Sequence, residues 1–445
     1  MEHRLGRNAI VIGGSIAGLL TARVLSDHFA QVTLFERDRL RDQPEARPGQ
    51  PQANHLHGLL GRGLQSLASY FPTLVDALRS GGATVTDMGR TMRWYCDGGY
   101  RLPFEFGQDC VIASRPFLEW QVRQQVVALP NVTVLDGCRV HQLLISEEGQ
   151  RISGVQFTRS GTSAQPETQY ADLTVDATGR GSRSPQWLTE LGYSPPPKSK
   201  VVCHTSYATQ IYRRAADSQP SNWIFITPTG PQEKRGGIAL PIEDERWIVT
   251  LCGRQGAPAP TDTAGFLSFS QSLPAPDIAA IVSHSEPLSA VYNYNFAASL
   301  RRHYEQLKRF PAGYLVLGDA VCCFNPLYGQ GMTTAALQAE ALDGLLHHQG
   351  DPLQGIARKF FRRAAELIDI PWQTAVAEDF RYPETQGKKS PGTTLINAYV
   401  TCVNRASHRD PLIGAAFLKV MNMMAPPTSL FQPQTLWRVL RSQHP

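Results

Sequence analysis

Hydrophobic positions divide the 445-residue chain into three unlike stretches. The first opens with Asn8-Ala9-Ile10-Val11-Ile12, a run without polar alternation that reads as a strand buried on both faces. After a turn at 13–18, apolar residues recur at helical spacing through Leu19-Leu20-Thr21-Ala22-Arg23-Val24-Leu25, and Val32-Thr33-Leu34-Phe35 forms a second buried run. Together they predict a βαβ unit. A polar loop over 41–52 precedes a helix expected over 56–78, and short strands broken by Gly and Pro are expected over 84–107. Ser114-Arg115-Pro116 starts another helix, with Ser as N-cap and Pro in the first turn. Core strands follow at 131–135 and 171–176, with a hairpin over 140–157.

The second stretch, from 201 to 294, is a series of strand-like runs separated by turn residues, which predicts a mostly antiparallel sheet. Tyr314-Leu315-Val316-Leu317 then returns to the buried parallel type. The third stretch predicts long helices over 331–380 and 395–440, the latter open as a lid, a dimer surface or a membrane-leaning face. The pattern gives a mixed α/β chain whose lobes are interleaved rather than strung end to end.

Composition narrows the class. A net charge of +5, without a Lys/Arg run that resembles a binding arm, does not call for nucleic acid. The eight cysteines include no C-x-x-C pair and read as reduced thiols, which points to the cytoplasm. The polar amino terminus does not resemble a signal peptide, and no stretch approaches the roughly 20 apolar residues of a spanning helix. The expectation is a cytoplasmic protein, with peripheral membrane contact left open.

Chemistry enters with the turn Gly13-Gly14-Ser15-Ile16-Ala17-Gly18, placed where a dinucleotide pyrophosphate docks on a helix N-terminus. Gly13 allows the tight turn and Gly18 close helix–strand packing. Ser15 stands where a middle glycine is usual, and its hydroxyl can donate to phosphate. Glu36, beside Arg37, ends the second strand near the position of a ribose-binding acid. Gly318-Asp319 follows the later strand, where Asp can bind a ribityl hydroxyl. Asn325-Pro326-Leu327-Tyr328-Gly329-Gln330-Gly331-Met332 leads into a long helix whose N–H groups can face the N1–C2=O edge of a flavin, where reduced flavin is negative. These later motifs favour FAD over NAD.

At these residues the chain resembles FAD-dependent monooxygenases of the aromatic-hydroxylase type, and most of all their bacterial squalene-epoxidase-like and polyether-epoxidase branch. Gln52 with His55 and His57, Ser114-Arg115-Pro116, Asp176-Ala177-Thr178-Gly179 and His408-Arg409-Asp410-Pro411 also carry the likeness. It implies Arg115 near the pyrophosphate and ribityl chain, Val140 at the adenine, Arg47 and Gln52 in the loop approaching the cofactor, and Pro326 to Met332 at the flavin. It implies a discontinuous FAD-binding domain (1–80, 110–200, 310–350), a substrate sheet domain (81–109, 201–309) and a C-terminal helical region (351–445). The expected reaction transfers one oxygen of O2 to an apolar small molecule through a flavin C4a-hydroperoxide, by epoxidation of an alkene or polyene or by hydroxylation. Electrons would come from NAD(P)H or a separate flavin reductase.

No protein-borne acid–base pair or metal set is legible, so no catalytic side chain and no metal ligand is assigned; the cofactor carries the chemistry. His55 and His57 alternate, so one is expected to face inwards. Cys322-Cys323 reads as packing rather than a redox pair. Trp223, Phe225, Trp247, Tyr292, Tyr294 and Phe296 are candidates for a substrate cavity or for the core. Two rivals stand: an FAD-linked reductase or dehydrogenase of isoprenoid-like double bonds, and a carrier without catalysis.

Overall fold

The computed structural model describes residues 5–161, 165–215, 223–347 and 353–442. Five strands form a parallel sheet in the order Tyr314–Val316, Leu173–Asp176, Gly6–Ile12, Phe29–Phe35, Val132–Leu135. Ile10, Val11, Val32 and Leu34 are wholly buried, which is why these strands read as unbroken apolar runs. Their register is the feature that builds the site. Ile12 lies opposite both Phe35 and Asp176, and Asp176 lies opposite Val316. Gly13, Glu36, Ala177 and the segment at Leu317 therefore leave the sheet at one carboxyl edge, where open α/β sheets bind ligands.

A second, eight-stranded sheet runs in the order Cys322–Cys323, Tyr292–Arg302, Lys198–Arg213, Arg246–Arg254, Arg235–Ile242, Trp223–Ile226, Met92–Cys96, Gly99–Tyr100. It is antiparallel except where Trp223–Ile226 pairs with Met92–Cys96. Two small three-stranded sheets accompany these, and the expected mixed α/β architecture, with a parallel sheet, a mostly antiparallel sheet and helices at the end, is the one observed.

Several local expectations need correction. The helix expected over 56–78 is a short strand followed by two helices, Gly61–Tyr70 and Leu74–Ser80. It breaks at Phe71-Pro72, because a helix rarely runs into the residue before proline. Two helices inside the sheet region, Thr263–Gln271 and Asp277–His284, went unread; they bury Phe266 and Ile278 against the outer face of the sheet. The stretch 331–380 contains helices Gly331–Leu346 and Ile356–Asp379, and its middle, 348–352, lies outside the described residues. Pro371 sits within the second helix without ending it. Helices Thr393–Ala406, Pro411–Met421 and Pro433–Ser442 close the chain. No described helix is long and apolar enough to cross a membrane.

Candidate active site

A cavity of about 860 Å³ runs from the carboxyl edge of the parallel sheet to a chamber between the large sheet and the C-terminal helices. At the sheet edge, Gly13 has φ +105°, and a Cβ there would stand 2.7 Å from the Ala177 carbonyl oxygen. A Cβ on Gly18 would stand 1.7 Å from the Gly13 carbonyl oxygen, so this glycine serves the packing of strand against helix. Ser15 is the N-cap of helix Ile16–His28 but makes no side-chain capping bond, and the first turn holds no acid. Its N-terminal amides thus face the cavity as an anion site. The Ser15 hydroxyl instead bonds the Glu119 carboxylate (3.0 Å) and accepts from Arg115 Nη2 (2.8 Å).

Around this turn lies a buried group of alternating charge. Glu36 accepts the Gly14 and Asp38 amides at 2.8 and 2.9 Å and pairs with Arg47 at 2.9 Å. Arg47 also pairs with Glu119 at 2.5 Å, and Glu119 accepts from Gln50 at 2.7 Å. Burial alone would lower the Arg47 pKa, but the Glu119 and Glu36 carboxylates outweigh it and raise it. Burial works against the Glu119 charge too, and Arg115 and Arg47 overcome it, holding that carboxyl below its usual range. Arg47 is thus engaged by the Glu36, Glu119 and Asp38 carboxylates, while Arg115 Nε is buried without a partner among the described residues. Arg37, Gln52 and Val140 line the same cavity.

The third wall comes from the later motif. Asp319 lines the cavity, and its burial raises its pKa against the pull of Arg115 and Arg180. The Asn325 side chain caps the turn Pro326–Tyr328 through the Leu327 amide at 3.2 Å. Gly329 has φ +66° with open space around its α-carbon, and helix Gly331–Leu346 starts without an acid in its first turn. These residues fit FAD. A glycine cradle and free helix amides suit a pyrophosphate, a bare helix start suits a flavin edge, and an orphaned guanidinium nitrogen awaits an acceptor.

Most of the expected cofactor residues are on the cavity wall: Gly13, Ser15, Ile16, Ala17, Glu36, Arg37, Arg47, Gln52, Arg115, Val140, Asp319, Pro326, Gly329, Gly331 and Met332. Gly18, Gly318 and Gln330 are not. Gly318 gives its amide to Gln338 (3.0 Å), and Gln330 reaches the Met421 carbonyl (3.4 Å), joining the loop to the C-terminal helices. The chamber beyond is lined by Trp94, Trp223, Phe225, Ile238, Leu240 and Phe417. Tyr294 and Phe296 also reach it, whereas Trp247 is core and Tyr292 is exposed.

Both histidines, rather than one, line the cavity, because 55–57 is an irregular segment without strand alternation. His55 Nδ1 bonds the Thr209 hydroxyl (2.8 Å), and His57 Nδ1 donates to the His55 carbonyl (2.9 Å). Burial holds their pKa values at about 4 and about 3, so both are neutral at pH 7. Cys322 and Cys323 are free thiols, and burial pushes Cys323 up to about 12. One group with metal-ligand chemistry exists among the described residues, His28, Asp343 and His347, and none of the three lies on the cavity wall.

With this geometry in view, the comparisons with known proteins fall into place. No protein-family model matches the sequence. The chain is 32% identical over 443 residues to Protein Rv3254 of Mycobacterium tuberculosis, covering 95% of this chain and 92% of that protein. It belongs to the family of Rv3254. Kynurenine 3-monooxygenase of Salinispora tropica is 25% identical over 399 residues (85% and 81% of the two chains). Squalene epoxidase 1 of Arabidopsis thaliana is 24% identical over 359 residues (78% and 61%). Among solved structures, PqsL of Pseudomonas aeruginosa, described as a "probable FAD-dependent monooxygenase", superposes with TM-score 0.61 at 17% identity (84% and 97% covered). A flavoprotein/dehydrogenase of Cytophaga hutchinsonii superposes with TM-score 0.69 at 14% identity (98% and 96%). The fold is therefore one shared with FAD-dependent monooxygenases.

One constellation had no signal in the sequence. Arg254, from the large sheet, pairs with Asp379 at the end of helix Ile356–Asp379 (2.9 Å), both fully buried. The same Asp379 oxygen accepts from Tyr328 (2.9 Å) and Asn325 (3.1 Å), and Tyr207 bonds the Asn325 amide oxygen. The loop expected to face the flavin is thus tied to both the eight-stranded sheet and the helical region. Glu119 was also missed, although its place four residues after Arg115 on one helix was a readable hint.

Proposed function

We propose that this protein is an FAD-dependent monooxygenase that transfers one oxygen atom of O2 to an apolar small molecule, by epoxidation of a carbon–carbon double bond or by hydroxylation. The observation that carries this reading is the direct continuity of the Pro326–Gly331 loop with a chamber walled by Trp94, Trp223, Phe225 and Phe417. Bound FAD supplies the redox chemistry that activates O2. The side chains bind, orient and exclude water. The amides at Gly13 to Ala17 and the Arg115 guanidinium hold the pyrophosphate, Glu36 the adenosine ribose, and Val140 faces the adenine. Asp319 holds the ribityl chain, and the start of helix Gly331–Leu346 offers its amides to the flavin edge. The apolar chamber keeps water from the reacting centre and sets the substrate against it.

The domain division and the electron source, NAD(P)H or a separate flavin reductase, belong to the same proposal. Kinship to a kynurenine monooxygenase and a squalene epoxidase supports oxygen transfer, and the second of these favours an alkene substrate. The test is turnover of a panel of polyenes and aromatics under labelled O2, read by mass spectrometry. A product carrying one labelled oxygen is expected. Turnover that persists without O2, with hydride delivered to a double bond, overturns the proposal in favour of the reductase.

A further inference from the structure

We infer that the C-terminal helices form a docking face for an anionic phospholipid surface, and that the cavity opens onto that face. Three observations on different scales meet there. The first is charge. Residues 388–445 hold seven Lys and Arg and a single acid, Asp410, a net +6, whereas the whole chain is +5. Asp410 is already paired with Arg438 at 2.8 Å. Lys388, Lys389, Arg405, Arg409, Lys419 and Arg441 all stand exposed.

The second observation is apolar exposure in the same segment. Leu395 is 76% exposed, Leu440 66%, Trp437 57% and Leu412 55%. On helix Pro433–Ser442, Trp437, Leu440 and Arg441 share one outward face while Val439 is buried on the other. Arg441 lies over the Trp437 ring at 5.3 Å. Ten residues span about 15 Å, too short to cross a bilayer and suited to lying in its interface, with Trp at headgroup depth and cations beside it.

The third is continuity with the cavity. Ile370, Ile396 and Phe431 are each exposed and also line it, so the chamber reaches the surface beside this patch. Phe431 stacks on Tyr399 at 4.7 Å, and the Tyr399 hydroxyl bonds the Leu430 carbonyl at 2.5 Å, fixing one rim of the opening. A bilayer matches both properties of the patch: its anionic headgroups meet the cations, and its acyl region meets the apolar side chains. A second copy of the chain matches less well, because a two-fold contact would set this cationic face against itself. An apolar substrate dissolved in the bilayer would then enter the cavity without crossing water.

Flotation of the FAD-loaded protein with two kinds of vesicle tests this. One is equal parts phosphatidylglycerol and phosphatidylcholine, the other phosphatidylcholine alone. The protein is expected to float with the first, far less with the second, and to be released by salt. Trp437→Ser with Leu440→Ser should cut partition by about tenfold or more, and Lys388→Glu with Lys389→Glu by about tenfold or more. Circular dichroism and bound-flavin absorbance should stay unchanged in both variants. No flotation with either vesicle overturns the inference, as does flotation equal to wild type in both variants. A dimer seen by light scattering that the apolar variant dissolves would also overturn it and make the face a self-association surface. Vesicle binding is read without turnover, so its failure leaves the proposed reaction standing, and the converse holds.

Discussion

Replacing Asp379 by alanine probes the junction beneath the Pro326–Tyr328 turn. The carboxylate is fully buried and is the shared acceptor for Arg254, Tyr328 and Asn325. Removing it leaves the Arg254 guanidinium, itself 3% exposed, as a buried charge without its counter-ion. Breaking such a pair from one side costs about 3–5 kcal/mol. Removing both members together should cost much less, because replacing a buried pair by apolar groups of similar volume is often close to neutral. The assay is a double-mutant cycle of Asp379→Ala, Arg254→Met and the double variant, read by denaturant unfolding of the FAD-loaded protein. A coupling of about 2 kcal/mol or more between the two sites is expected. The single variants should also lose flavin on dialysis faster than the double, since the Asn325–Tyr328 turn is released with the pair. The reasoning is refuted if Asp379→Ala costs under about 1 kcal/mol, or if the double variant costs the sum of the singles.

Gly13→Ala should abolish stable flavin binding, because the new methyl group meets the Ala177 carbonyl and φ +105° disfavours any side chain; a variant purifying with full flavin absorbance contradicts this. His55 and His57 titrate at about 4 and about 3 in the fold against 6.5 unfolded, so the unfolded chain takes up their protons first as pH falls. Stability should therefore be flat above about pH 7 and fall from there towards pH 4. Thermal melts of His55→Gln with His57→Gln should show a shallower fall than wild type, and equal slopes would exclude these histidines as the cause. Native protein should give an aromatic-disulfide thiol reagent at most the half-buried Cys402, with the other seven cysteines reacting only after denaturation. Rapid native modification of Cys323 would contradict the burial of its thiol.

Motif residues were legible because each answers to backbone geometry that leaves a local trace. Gly13 and Gly18 mark a turn and a contact that no other residue tolerates, and Glu36 ends a strand whose register carries it to the same edge. The parallel strands were legible for a related reason, since burial on both faces removes polar alternation. The helices Thr263–Gln271 and Asp277–His284 were not, because each is short and sits among strand-like runs. Arg254 and Asp379 stand 125 positions apart with ordinary neighbours, and only the crossing of sheet, loop and helix makes them partners. The inward turn of both His55 and His57 escaped notice because an irregular segment obeys neither helical nor strand periodicity.

The order of strands in the parallel sheet has a consequence for biosynthesis. Leu173–Asp176 gains its outer neighbour only from Tyr314–Val316, nearly 140 residues later in the chain. On the ribosome, therefore, that strand waits as an open edge while five of the eight strands of the second sheet are made. The cavity acquires its last walls only when residues 326–346 and then the C-terminal helices through Phe431 emerge. The nascent chain must keep this edge from pairing with other chains through the interval, before the cavity walls that come later in the chain are in place.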